Sequence, residues 1–157
     1  MQKHMPLLWD SLSYIMNNKQ TQGTGIHISK FYPGIAWFFL VLILVCIPGY
    51  DLPKVDNWLI EINFDKFIHV GIFAVLAWLF MIPVVKSALP VKEKWNWLIK
   101  ITIASVIWGI TTELIQKFFI PGRSFNLTDW AADGLGAIAA LLYFKLRRGG
   151  IGPKPAK

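Results

Sequence analysis

A single cysteine among 157 residues, Cys46, excludes an intramolecular disulfide and a cysteine-based metal cluster. Charge is scarce as well. Only 16% of residues are Asp, Glu, Lys or Arg, where an average globular protein has roughly 25%. Nine acids face sixteen basic residues, for a formal net charge of +7. What fills the remainder is apolar: 55% of the chain, including eight Trp and eleven Phe. A chain of this length cannot withdraw that much apolar surface from water by folding on itself. Intrinsic disorder and a soluble basic nucleic-acid binder are both excluded by that composition. Internal repeats, low-complexity tracts, phosphate-cradling loops and nucleophile elbows are likewise missing.

The apolar residues gather in four stretches, 31–49, 67–85, about 97–120 and 130–144. A helix of nineteen residues spans about 28 Å, close to the thickness of the bilayer's hydrocarbon layer. The fourth stretch is shortest, and tilt with snorkelling of Asp129 and Lys145 carries its ends to the headgroups. The expected fold class is therefore all-α, a polytopic membrane protein of four transmembrane helices. Residues 1–30 read as a cytoplasmic N-terminal tail, 31–147 as the transmembrane domain and 148–157 as a basic C-terminal tail. Within the first tail there is no cleavable secretory signal. Residues 6–16 place Leu8, Leu12, Ile15 and Met16 at helical spacing, which fits either an interfacial helix or a polar tail, and residues 20–25 read as a linker. Trp58, Trp78, Trp95, Trp97 and Trp130, where they fall near span ends, read as interfacial anchors.

Orientation follows from lysine and arginine alone. Of the sixteen, all but Lys54, Lys66, Lys117 and Arg123 fall in the two tails, the middle loop or the start of the third span. Both termini are then expected in the cytoplasm, with 47–66 and 121–129 facing outward. Most of the acids lie on that outward side: Asp51, Asp56, Glu61, Asp65, Glu113, Asp129 and Asp133. The first three simply solvate a loop. Asp65 and Asp129 suit first helical turns, where the dipole favours a negative charge by about 0.3–1 kcal/mol, with Asn63 and Thr128 as caps beside them.

Glu113 is different. It precedes the helix-breaking Pro121 by about 10 Å of helix, which places a carboxylate inside the bilayer at a cost of about 2.5 kcal/mol or more unless it is paired, hydrated or protonated. Gln116 shares its face. Asp65 with His69, and Asp129 with Asp133, form equivalent pairs four residues apart on the neighbouring spans. The short 121–128 connection makes the third and fourth spans antiparallel neighbours and places Arg123 where it can fold back over the acids. Ala132, Gly136 and Ala140 form a small-residue stripe that permits close backbone approach. Asp65, His69, Glu113, Gln116, Arg123, Asp129 and Asp133 are thus expected in one outward-opening pocket. The plainer reading of the same residues is a structural network that clips three helices together; Lys66 and Lys117 read as snorkelling to the headgroups.

The string Asp65-Lys66-Phe67-Ile68-His69, then Glu113-Leu114-Ile115-Gln116, then Pro121-Gly122-Arg123 with Asp129 and Asp133-Gly134-Leu135-Gly136, resembles the VanZ-like membrane proteins. The resemblance covers residues 63–142 or so, about half the chain. One departure is Asp133, where that family often has Asn. The resemblance implies an integral protein of the bacterial cytoplasmic membrane, similar to one whose namesake is linked to resistance to the glycopeptide teicoplanin, and it brings no established reaction. Its polar positions here are Asp65, Lys66, His69, Glu113, Gln116, Arg123, Asp129 and Asp133.

Three functions remain open on the sequence. One is binding, in which Asp65, Lys66, Gln116, Arg123 and Asp129 engage the headgroup of a membrane lipid or lipid-linked cell-wall precursor. Another is a hydrolase or transferase with His69, Glu113 and Asp133 as catalytic groups, assisted by a divalent metal ion whose candidate ligands are Asp65, His69, Glu113, Asp129 and Asp133. Ser124 is the one well-placed hydroxyl. The last is a small transporter or channel subunit, assembled as a homo-oligomer. Nucleic acid is not expected as a partner.

Overall fold

The computed structural model describes residues 25–48, 50 and 64–147. The expectations for residues 1–24, for Asp51, Asp56, Trp58, Glu61 and Asn63, and for the basic tail from 148 onward lie outside the described residues. Among those described, the chain is entirely helical. A 3₁₀ turn at Ile28–Phe31 leads into α1 (Tyr32–Val45), followed by α2 (Phe64–Val85), α3 (Val91–Phe119) and α4 (Leu127–Leu146). Three helical segments, Ile28–Val45, Phe64–Val85 and Val91–Phe119, are long and apolar enough to cross a membrane.

α2, α3 and α4 begin before their apolar stretches, whereas α1 stops at Val45, inside its own. α3 begins at Val91, six positions before Trp97, because Pro90 starts it and Glu93 suits its first turn. Lys94, read from the sequence as a loop charge, is buried, and its ammonium donates to the Val85 carbonyl at 2.9 Å, closing the C-terminus of α2. α4 starts at Leu127, and its cap is Asn126, whose side-chain oxygen accepts from the Thr128 amide at 3.0 Å. Thr128 is therefore not the cap expected of it. Asn126 has the extended backbone that capping requires, and Thr128 already lies inside the helix.

Burial is inverted relative to a soluble protein. α3 exposes Trp97, Ile99, Ile103, Ile107, Leu114 and Phe118. Its buried face carries Thr102, Ser105, Gly109, Thr112, Glu113 and Gln116. In water the outer face would be an aggregation surface; against hydrocarbon it is a matched one. The buried hydroxyls are satisfied within their own helix, Thr102 donating to Leu98, Ser105 to Ile101 and Thr112 to Gly109, so the seam stays narrow without unpaired donors.

Packing centres on α2 against α4, the most extensive contact, with α3 against both and α1 on the flank of α2. Lys66 with Asp129, His69 with Asp133, and Val70 and Ala74 with Gly136 advance together, so α2 and α4 run parallel. Packed against both, α3 runs the opposite way, with Glu113 beside Asn126 and Val106 beside Trp130 and Gly134. Gly136 is where two backbones meet. A Cβ there would lie 2.8 Å from the Ala74 nitrogen and against the Val70 carbonyl. The expected antiparallel pairing of α3 and α4 is present, and the parallel α2–α4 contact goes beyond it.

Apolar packing fills the end of the bundle formed by the end of α2, the start of α3 and the end of α4: Met81, Val84, Leu98, Ala140 and Phe144. Val41, Val45, Phe73 and Leu76 pack α1 onto α2, and the Trp37 indole N–H donates to the Ile72 carbonyl at 3.1 Å. Trp130 likewise spends its N–H on the Val106 carbonyl, 3.1 Å away, so it joins α4 to α3 instead of reaching for headgroups.

Candidate functional site

The opposite end of the bundle is polar. Helical starts and stops dictate this: α2 and α4 begin there and α3 ends there, and every acid of the three helices except Glu93 lies toward that end. Asp65 and Asp129 occupy first turns, as expected.

Three linked contacts organise the cluster. Lys66 donates to Asp65 at 2.9 Å and to Asp129 at 3.1 Å, bridging α2 to α4. One turn deeper, His69 Nδ1 lies 2.8 Å from Asp133 Oδ1, with its Nε2 turned toward Asp129 Oδ2 at 4.0 Å. On the third side, Glu113 Oε2 accepts the backbone N–H of Asn126 at 2.8 Å. That bond ties the end of α3 to the cap of α4 and satisfies an N–H that the helix start would otherwise leave free. One ligand atom each from His69, Glu113 and Asp129 lie within 4.8 Å of one another.

Exposure grades from rim to floor. The Asp65 side chain is 57% exposed, His69 24% and Asp129 15%. Glu113 is 1% exposed and Asp133 0%. Asp133 reaches the floor because Gly109 leaves room: a Cβ on residue 109 would sit 2.9 Å from that of Asp133. Glu113 Oε1 and Asp133 Oδ2 are buried without a hydrogen-bond partner among the described residues. Buried carboxylate oxygens are seldom left in that condition, because each loses its hydration with nothing in exchange.

Of the residues singled out from the sequence, Asp65, Lys66, His69, Glu113, Asp129 and Asp133 are brought into one connected group. Gln116 is buried on the same face of α3. Arg123 does not close over the acids. It makes no ion pair among the described residues, and its Nε is buried without a partner. The counter-charge is Lys66 instead, which therefore does not simply snorkel. Asn126, Gly109 and Trp130 were missed as parts of the site. For Gly109 a signal existed, since it continues the stripe of small and polar residues through Thr102, Ser105, Thr112 and Glu113; the use of the Asn126 backbone amide has no side-chain signature.

Chemically the group can hold a cation between an imidazole and two carboxylates, or accept hydroxyl and amine donors at its floor while Lys66 offers positive charge. No protein-family model, curated protein or solved structure matches the chain.

Proposed function

We propose that this chain is a VanZ-like integral membrane protein of the bacterial cell envelope that binds the headgroup of a membrane lipid or lipid-linked cell-wall precursor in the pocket formed by α2, α3 and α4. In this reading α4 is a fourth crossing, since its 20 residues span about 30 Å. The termini are cytoplasmic and the pocket opens outward. The charge distribution supports that orientation: Lys86, Lys92, Lys94, Lys145 and Arg147 lie at the end of the bundle opposite the polar cluster.

The observation that carries the proposal is the gradient of exposure across the cluster. A rim of Asp65 and Lys66 leads to a buried floor where Glu113 and Asp133 each have an oxygen without a partner among the described residues. A network serving only to fasten helices would close its own hydrogen bonds. Lys66 and Arg123 would engage the anionic part of the headgroup, while the floor accepts its hydroxyl or amine protons. The link to teicoplanin resistance is part of the same proposal and follows from the resemblance.

The test is native mass spectrometry of the full chain purified in nanodiscs of bacterial polar lipids. A lipid or precursor should be retained by the wild type and lost in Lys66→Ala and Arg123→Ala. A wild type that retains nothing, or variants that retain as much, would refute it. The His69–Asp133 hydrogen bond favours one second reading, an acid–base hydrolase or transferase in which Asp133 orients the imidazole. Turnover of a retained lipid that disappears in His69→Gln distinguishes it.

A further inference from the structure

We propose that His69, Glu113 and Asp129 bind a divalent transition-metal ion, Zn²⁺ or Mn²⁺, and that Asp133 orients the imidazole from behind. The inference rests on the headgroup reading of this pocket and deepens it by naming what the pocket holds first.

The imidazole carries the first step. His69 Nδ1 lies 2.8 Å from Asp133 Oδ1. Nε2 faces a second carboxylate: Asp129 Oδ2 is 4.0 Å away. At that distance the two make no hydrogen bond with each other. A carboxylate behind a histidine whose other nitrogen faces a metal is the recurrent outer-shell arrangement of metal sites.

Glu113 supplies the independent second observation. It is 1% exposed, and Oε2 is held by the Asn126 amide. Oε1 has no partner among the described residues, and the carboxylate belongs to the trio whose ligand atoms lie within 4.8 Å of one another. An ionised oxygen in that position loses its hydration with no return; a bound cation restores the balance. Formal charge agrees. Lys66 pairs with Asp65 and Asp129, while Glu113 and Asp133 have no lysine or arginine partner among the described residues.

The donor set selects the class of metal. One imidazole nitrogen with two carboxylates suits Zn²⁺ or Mn²⁺, whereas Ca²⁺ and Mg²⁺ sites use oxygen alone. Bonds of about 2.0–2.2 Å bring neighbouring donors to roughly 3–3.5 Å, so rotamer adjustments of Glu113 and Asp129 complete the site. Asp65 is not a ligand, since it lies at the rim on Lys66. The ion would also resolve a difficulty of the headgroup reading, because a phosphate approaching four carboxylates needs a positive centre among them.

The experiment uses the full chain in detergent, stripped with chelator and loaded with Zn²⁺ or Mn²⁺ alone, with no lipid added. Elemental analysis should find about one ion per chain. Affinity should fall at least about tenfold in His69→Ala, Asp129→Asn and Glu113→Gln, and about 10–100-fold in Asp133→Asn, with Asp65→Asn unchanged. Because the buried variants risk misfolding, Mn²⁺ bound to the wild type provides a second readout: its pulsed EPR spectrum should carry the coupling of one imidazole nitrogen. Substoichiometric metal in the wild type, or a spectrum without that coupling, overturns the inference, as does equal binding by His69→Ala. Metal bound without any retained lipid supports this site and refutes the headgroup reading. Lipid retained by a protein that binds no metal does the reverse.

Discussion

Replacing Gly136 by Ala separates packing from intrinsic helix preference. On propensity alone, alanine in a helix interior gains about 1 kcal/mol over glycine. At position 136 the new Cβ would stand 2.8 Å from the Ala74 nitrogen, about 0.6 Å inside the 3.4 Å at which ordinary contact begins, and closer still to the Val70 carbonyl. Both obstacles are backbone, so no rotamer relieves them, and α2 and α4 must part. Overpacking of this kind costs about 1–3 kcal/mol, and a gap of 0.5–1 Å along the seam forfeits roughly a quarter to a half of each dispersion contact it opens. Set against the propensity gain of about 1 kcal/mol, Gly136→Ala should therefore be destabilised by up to about 2 kcal/mol, or up to several degrees in Tm for a chain of this size. Gly71, on α2, has nothing within 4 Å of its virtual Cβ. Gly71→Ala should be neutral or stabilised. The assay is reversible unfolding of both variants in mixed micelles, followed by circular dichroism. Since Gly136 lies one turn from Asp133 and Val70 adjoins His69, parting the helices should also lengthen the His69–Asp133 contact and lower metal affinity. A Gly136→Ala protein as stable as Gly71→Ala would refute the parallel α2–α4 approach and the site geometry built on it.

Glu113→Ala removes the acceptor of the Asn126 amide and should cost about 1–3 kcal/mol, with faster hydrogen exchange at that amide; unchanged exchange would show that the α3–α4 tie is not made. Lys66→Met should be more destabilising than Asp65→Asn in thermal melts, because Lys66 bridges two carboxylates while Asp65 is mostly exposed, and an exposed pair contributes about 0–1 kcal/mol. Equal effects would place the bridge to Asp129 outside the energetics.

Hydropathy locates the helices because exclusion from water is a local property: each apolar run in the described residues became a helix, and the short turn at 121–126 set α3 and α4 antiparallel. The ends were less visible. Pro90 and Asn126 begin α3 and α4 several residues before the apolar stretches start, since capping and first-turn charge extend a helix past its hydrophobic limits. The residue types of the site were visible for a similar reason. Glu113 and Asp133 stand out as ionisable groups amid apolar sequence, and helical spacing pairs Asp65 with His69 and Asp129 with Asp133.

What spacing does not carry is the rotation and register of one helix against another. That Lys66, and not Arg123, supplies the counter-charge to Asp129 depends on α2 lying parallel to α4 at contact distance, which Gly136 permits from more than sixty positions along the chain. The turn of His69 Nδ1 toward Asp133, leaving Nε2 for Asp129 and Glu113, follows from that same register. Composition and periodicity alone determined that this chain forms apolar helices with most of their acids toward one end and most of their lysines and arginines toward the other, because both depend on neighbours in sequence. Which oxygen faces which nitrogen depends on distant backbone meeting without a Cβ between, and only the packed bundle decided it.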